Sequence, residues 1–181
     1  MQGFANRPGR NFSVIDDSDF NLFWEYRIAD HRYHDLEEKP LARVINLNSV
    51  GTQRKRLTKS VVIALRELMK QQTPDSNTYD LAAYISLALH IIHETVDQSV
   101  TAWEKRGYWL KADRFRLQWE WSEKESKEMK NALFSEDWAQ VALVSARVAE
   151  KLNDVEVSKR HRFGTPWVGA WDHLKESSGD I

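Results

Sequence analysis

Two pairs of histidines flanked by carboxylates are the residues of this chain best suited to metal binding or proton transfer. They are His31 and His34 in the stretch ADHRYHD, and His90 and His93 in the stretch LALHIIHETVD. Side chains three or four positions apart share one face of a helix. The second stretch therefore predicts a polar stripe on an otherwise apolar helix, made of Ser86, His90, His93 and Asp97.

The two histidine pairs favour a metal site if the helices that carry them pack together. Neutral imidazoles and carboxylates at helical spacing can share a divalent metal ion, and a base held beside a carboxylate can transfer protons. The candidate ligands are His31, His34, His90, His93, Glu94 and Asp97. The spacing differs from the zinc-protease pattern H-E-x-x-H and from its inverted form. A polar strip that faces water or a neighbouring helix, without any chemistry, is the alternative interpretation.

Basic residues form a second candidate site along two predicted helices. In TQRKRLTKSVVIALRELMK most of them fall on one face over about 22 Å, and in WEKRGYWLKADRFRLQWEW they alternate with six aromatic residues. Cations can hold a nucleic-acid backbone while aromatic rings stack on its bases. The candidate nucleic-acid contacts are Arg54, Lys55, Lys59, Arg66, Lys70, Lys111, Arg114 and Arg116.

An ordinary helix surface explains the same basic residues. Acidic residues lie close to them in sequence, and aromatic residues at helical spacing are more often part of a core than a stacking platform. Arginine stems also pack against apolar neighbours, and exposed ion pairs contribute little. A salt-bridged surface or a protein interface is therefore the alternative to nucleic-acid binding.

Composition limits the class of protein. The chain has 181 residues, of which 41% are apolar, and its formal net charge is −1. This balance is typical of a globular protein and gives no global attraction to nucleic acid or membranes. Cysteine is absent, which excludes disulfides, thiolate zinc sites and cysteine nucleophiles. Without an apolar leader or a membrane-length apolar run, we expect a cytoplasmic protein that has no membrane contact.

Apolar spacing and helix-breaking residues predict a wholly helical chain. The segment 1–16 is predicted to be irregular, and helix signals follow at 17–38, 52–72, 77–105, 109–132, 136–152 and 165–177. Asp75 or Ser76 is the candidate N-cap of the third helix and Ser135 that of the fifth, and Gly107 marks a turn or kink. From Leu81 to Ile92 nearly every side chain is apolar, which predicts a central, buried helix. We predict an all-α fold, in which a four-helix-bundle-like core (52–152) and additional N- and C-terminal helices form a single domain, 1–181.

The C-terminal stretch RFGTPWVGAWDHL predicts a docking helix. Thr165 is its candidate N-cap and Pro166 its first residue, an arrangement that favours helix initiation. Trp167 and Trp171 lie one turn apart, so both face the same neighbour. That neighbour is either the rest of the bundle or another subunit, and the two tryptophans are candidate interface residues.

No phosphate-binding glycine loop or nucleophile elbow occurs in the sequence. The lack of these motifs weakens the hypothesis that the protein is an enzyme but does not exclude it. Eight tryptophans and segregated basic stripes favour binding instead. We therefore expect a non-catalytic helical binding or assembly (adaptor) protein without a cofactor, whose partner is another protein or a second copy. Contact with nucleic-acid phosphates is a sub-hypothesis. The competing hypothesis is a metal-dependent enzyme with a divalent metal held between the N-terminal and central helices.

Overall fold

The computed structural model describes residues 49–179, and every regular element in that range is an α-helix. The all-α prediction is therefore confirmed. The irregular segment predicted at 1–16 and the helix predicted at 17–38 lie outside the described residues. The helices are α1 (Val50–Leu68), α2 (Ser76–Glu104), α3 (Trp109–Trp119), α4 (Trp121–Phe134), α5 (Trp138–Lys151) and α6 (Ala170–Ser177).

The central helix is α2, as its apolar sequence predicts. It packs against α1, α3, α4 and α6, while α5 packs against α4 and α1. Every residue from Leu81 to Leu89 is buried, because this stretch has neighbours on all sides. The contacts α1–α2, α2–α4, α4–α5 and α5–α1 close a ring, so the helices form a bundle-like core.

Polar side chains define where the helices start. Ser49 caps α1 by accepting from the backbone N–H of Thr52 at 3.3 Å, and Asp75 caps α2 by accepting from that of Thr78 at 2.8 Å. Each cap satisfies one of the N–H groups that the first helical turn leaves unpaired. Sequence reasoning gave Asp75 or Ser76 as the cap of α2, and the structure selects Asp75.

The predicted cap of the fifth helix was wrong. Ser135 lies at the C-terminal end of α4, where its hydroxyl donates to the carbonyl of Asn131 at 2.9 Å. Glu136 adopts a left-handed backbone conformation with φ 54°, which turns the chain before α5 begins. Asp137 is then the N-cap and accepts from the backbone N–H of Gln140 at 2.9 Å.

The helix predicted over 109–132 is divided at Glu120 into α3 and α4. Ser122, two residues after Glu120, donates its hydroxyl to the carbonyl of Trp119 at 2.8 Å. Such a hydroxyl competes with the backbone pairing of the helix and bends it. Gly107 forms the predicted turn between α2 and α3 with φ 79°. The N–H of Tyr108 there donates to the carbonyl of Trp103 at 2.9 Å, as in a Schellman motif.

The predicted start of the C-terminal helix at Thr165 and Pro166 was also wrong. Residues 166–169 form turns, and α6 begins at Ala170 after Gly169, whose φ is 78°. A left-handed residue cannot lie inside an α-helix, so the helix has to start after it. No helix within 49–179 has both the length and the apolar character needed to span a membrane.

Candidate functional site

The histidine stripe faces α4, not only solvent. Ser86 is buried, and its hydroxyl donates to the carbonyl of Ser126 at 2.9 Å while the Ser126 hydroxyl donates to the carbonyl of Ser86 at 2.8 Å. Toward the C-terminal end of α2 the stripe emerges from the core, so that His90 and Asp97 are exposed and His93 is partly buried. The stripe is thus a helix–helix contact at one end and a solvent-exposed surface at the other.

Carboxylates accompany both histidines of α2. Nε2 of His93 lies 3.4 Å from Asp97 and 3.7 Å from Glu123, and Nε2 of His90 lies 3.6 Å from Glu94. Nδ1 of His93 is buried and has no hydrogen-bond partner among the described residues. A hydrogen bond from Lys127 lowers the pKa of the Glu123 carboxyl, and burial only partly opposes this.

This cluster does not have the form of a metal site. Within residues 49–179, no group of three or more His, Asp or Glu side chains is placed to hold a metal ion. Glu123, the carboxylate that α4 contributes, is paired with Lys127 at 2.5 Å. His31 and His34 lie outside the described residues, so the shared site between the two histidine pairs stays a prediction. Sequence reasoning missed Glu123 and Ser126, because nothing in the chain indicates which α4 residues face α2.

The candidate nucleic-acid contacts in α1 and in the turn after it fall into two groups. Lys55, Lys59, Arg66 and Lys70 are exposed, as the helical projection predicts. Arg54, by contrast, is an internal contact. Its guanidinium donates to the carbonyl of Thr95 at 3.0 Å and to the hydroxyl of Ser99 at 3.3 Å. Burial lowers its pKa, although an arginine stays charged in proteins.

Arg54 also joins α1 to α3. Its guanidinium carbon lies 4.7 Å from the ring centroid of Phe115 and 5.8 Å from that of Trp119, within the range of a cation–π contact. Phe115 packs in turn against Trp103, with ring centroids 5.0 Å apart. Three of the six aromatic residues in this segment are therefore partly buried against other side chains, which leaves less of each ring for stacking on bases.

The cations of α3 differ in their partners. Arg116 donates to Glu104 at 2.7 Å and lies 3.6 Å from Asp113, and this hydrogen bond to Glu104 is the main reason that the pKa of Arg116 is raised. Nζ of Lys111 lies 4.2 Å from the ring centroid of Trp103. Arg114 is exposed beside it. Lys111 and Arg114 thus present charge to the outside, whereas Arg116 is engaged in ion pairs.

The most unusual surface of the described chain is the outer side of α3. Only Ala112 of this helix is fully buried, while Tyr108, Trp109 and Leu110 at its start are 57%, 64% and 64% exposed and Leu117 is 63% exposed. We call the following residues the corner surface: Tyr108, Trp109, Leu110, Lys111, Arg114 and Leu117. All of them except Leu117 line an open concavity of about 750 Å³.

Leu110 and Leu117 are two helical turns apart and therefore lie on the same side of α3. Five basic residues and one acidic residue occur between Lys105 and Arg116, so the segment has a formal charge of +4. An exposed apolar patch bordered by polar residues is a common feature of binding sites. The corner surface combines such a patch with positive charge.

The candidate interface tryptophans dock on this chain's own bundle. The indole Nε1 of Trp167 donates to Asn77 at 3.2 Å, and the ring of Trp171 packs against Tyr79 and Phe134 with centroids 5.2 Å apart in both cases. Trp167 is buried and Trp171 partly buried by these contacts. The sequence leaves open whether these tryptophans dock on the rest of the bundle or on another subunit, and in the described structure they dock on the bundle.

Asp80 holds the start of α6 on α2. Its two carboxylate oxygens accept from the backbone N–H groups of Gly169 at 2.9 Å and Trp171 at 3.0 Å. Asp80 thus acts as an N-cap that comes from a different helix. Its position 89 residues before Gly169 explains why local sequence patterns did not identify it.

Comparisons of this chain with protein-family models, curated proteins and solved structures give no match.

Proposed function

We propose that this protein is a non-catalytic binding or assembly protein of the cytoplasm, and that the corner surface binds a helical segment of a partner protein. The partner segment would carry apolar side chains flanked by acidic ones. One observation carries the proposal: Trp109, Leu110 and Leu117 are each more than three-fifths exposed on one short helix. Exposing these side chains to water is unfavourable, and covering them on binding gives a strong driving force.

The charges beside this patch support an acidic partner. Lys111 and Arg114 border the concavity that Trp109 and Leu110 line. Positive charge at the edge of an apolar contact speeds association with an acidic segment and selects against basic ones. Tryptophan and arginine are also the residue types that most often dominate binding energy at interfaces.

A protein partner fits the surface better than nucleic acid does. Leucines cannot stack on bases, yet Leu110 and Leu117 supply much of the exposed apolar area. Arg54 and Arg116, two of the candidate phosphate contacts, are engaged with Thr95 and Glu104 respectively. The rings of Trp103 and Phe115 pack against each other, so they are not arranged as a stacking platform.

The test is site-specific cross-linking with matched leucine variants. A photo-reactive amino acid at Gln118, which lines the concavity, is used to capture partners from cell extract, and the cross-linked peptides are sequenced by mass spectrometry. We expect a partner peptide with apolar and acidic residues. The Leu110→Ser/Leu117→Ser variant should capture at least about tenfold less partner than the wild type, as expected when hot-spot residues are removed.

Leu143→Ser is the control, because Leu143 is 52% exposed on α5, away from α3. Both leucine variants should keep the helix content and the cooperative unfolding of the wild type, because substitutions outside the core perturb the fold little. Equal capture by the wild type and the Leu110→Ser/Leu117→Ser variant would refute the proposal. Binding of a labelled oligonucleotide at about 50 mM salt, lost in a Lys55→Glu/Lys59→Glu variant, would replace it with the nucleic-acid hypothesis.

A further inference from the structure

We infer that the corner surface has an occupant within this chain, residues 17–38, which a partner protein must displace. The inference rests on the proposed function, because it assigns the first ligand of the same surface. It follows from three properties of the molecule: the charge of the two segments, the apolar positions of residues 17–38, and the place where the N-terminal part of the chain joins α1.

The two segments have opposite charge. Residues 17–38 contain seven acidic and two basic residues, a formal charge of −5, whereas residues 105–116 carry +4. Attraction between such segments raises the rate at which they meet and disfavours other pairings. In a chain whose net charge is only −1, these two segments are a strongly complementary pair.

Apolar residues in 17–38 match the exposed side chains of α3. Phe20, Phe23, Trp24 and Ile28 share one face of the predicted helix. The corner surface presents Trp109, Leu110 and Leu117 along two turns of α3. An amphipathic helix with anchors spaced at three and four residues is a common ligand for an apolar groove.

The chain enters α1 beside α3, the helix that carries the corner surface. Ser49 is the N-cap of α1, and Arg54, five residues later, lies against the rings of Phe115 and Trp119 on α3. The ten residues 39–48 connect the acidic segment to this point and reach at most about 35 Å when extended. A tether this short gives an effective concentration on the order of millimolar, so even a contact with a Kd of about 100 µM would be occupied about nine-tenths of the time.

The absence of cysteine makes a direct distance measurement simple. We introduce Ala29→Cys, opposite the apolar face of the predicted helix, and Glu120→Cys, at the exposed junction of α3 and α4, and attach spin labels to the full chain. Docking predicts a short, narrow distance distribution by pulsed electron paramagnetic resonance. The Leu110→Ser/Leu117→Ser variant should broaden it and shift it to longer distances, while Leu143→Ser should leave it unchanged.

Partner capture tests displacement. With the cross-linker at Gln118, a Phe23→Ser/Trp24→Ser variant should capture several-fold more partner than the wild type, because the surface is vacated. A Val14→Ser/Ile15→Ser variant, with the same type of substitution outside residues 17–38, should not. Unchanged capture by the Phe23→Ser/Trp24→Ser variant would overturn the inference that the segment competes with the partner.

The remaining outcomes separate this inference from the proposed function. A broad distribution of spin-label distances in the wild type would mean that residues 17–38 do not occupy the corner surface. The proposed function would still stand if partner capture depended on Leu110 and Leu117. A short distance that these leucine substitutions do not change places the segment elsewhere and also overturns the inference. A short distance seen only between singly labelled chains that have been mixed assigns the occupant to a second copy. Partner capture that does not depend on these leucines removes the proposed function itself.

Discussion

At the scale of single residues, the strongest polar contact of the core is the one between Glu125 and Arg147. Glu125 is only 5% exposed, and its carboxylate accepts from Nε and Nη2 of Arg147 at 2.7 to 3.0 Å. Arg147 also contacts Glu128. The hydrogen bond to Glu125 is the main reason that the pKa of Arg147 is raised. The contact joins α4 to α5 through a carboxylate that burial alone would disfavour.

We predict that Arg147→Met lowers the free energy of unfolding by about 2–3 kcal/mol, because it leaves the charge of Glu125 buried without its partner. The estimate lies below that for a fully buried pair because Arg147 is 31% exposed. Chemical denaturation measures the change. A Glu125→Met/Arg147→Met double variant should be more stable than the single variant, since both charges are then removed. Additive losses from the two substitutions would contradict this account.

At the scale of helices, docking of α6 depends on an acidic residue that is remote in sequence. Asp80 accepts the first N–H groups of α6, where the partial positive charge of the helix dipole also favours a carboxylate. Gly169 adopts the left-handed conformation just before the helix. The end of the chain is thus attached to α2 by a cap as well as by the tryptophans.

We predict that Asp80→Ala lowers the free energy of unfolding by about 1–2 kcal/mol, the usual cost of losing an N-cap together with its interaction with the helix dipole. It should also increase limited proteolysis between 153 and 169, ahead of α6. Asp172→Ala is the control, because Asp172 lies exposed in the first turn of α6 and its ion pair among residues 49–179 is with Lys175 at 2.8 Å. If both substitutions lower the free energy of unfolding by the same amount, negative charge near the start of α6 is responsible for the loss, and not the cap.

The sequence predicts the helices well and their ends less well. The fold class and the central position of α2 follow from apolar spacing, and Asp75 follows from cap preference, since these signals are local. Ser135 and Thr165 are equally good cap residues by type, yet neither starts a helix. The left-handed turns at Glu136 and Gly169 decide those two cases, and nothing in the neighbouring sequence indicates that both residues adopt this conformation.

The candidate sites are less predictable, because they depend on which helices meet. Helical projection identifies Lys55 and Lys59 as exposed, but it also places Arg54 among the surface cations. The structure puts Arg54 against Thr95 and Phe115, more than 40 and 60 positions away in sequence. Likewise, spacing finds His90 and His93, whereas Glu123, which approaches His93 from α4, can only be found in three dimensions. Leucine side chains are usually buried, so nothing in the sequence marks Leu110 and Leu117 as the exposed residues that they are.

At the scale of the whole molecule, stability depends on pH through a partly buried histidine. His173 on α6 is 14% exposed and lies 4.0 Å from Glu176. Burial lowers its pKa from the ordinary value of 6.5, and the charge of Glu176 only partly opposes this. The unfolded chain therefore binds a proton at a higher pH than the folded one does, so stability is lost as pH falls.

We predict that the contribution of neutral His173 to the free energy of unfolding is fully present above about pH 6.5. It is lost as the pH falls from that value to the lower pKa that His173 has in the folded state. Thermal unfolding from pH 7.5 to 5.5 should show a decrease in Tm that is smaller in His173→Gln. His161→Gln serves as the comparison, because His161 is exposed, and it should leave the decrease unchanged. A wild-type Tm that rises over this range, or a His173→Gln variant with the same pH dependence as the wild type, would refute the assignment.

The central position of α2 has a consequence for the order of folding. Because α1, α3, α4 and α6 all pack on this one helix, none of them can gain most of its native contacts before α2 is formed. A folding nucleus that contains α2 with α1, its neighbour in the chain, needs only a short loop closure across residues 69–75. Substitutions in the buried stretch of α2 then slow folding, whereas those in α6 mainly accelerate unfolding. We therefore expect the docking of α6 to be a late step, which contributes to the lifetime of the folded state more than to the rate at which that state forms.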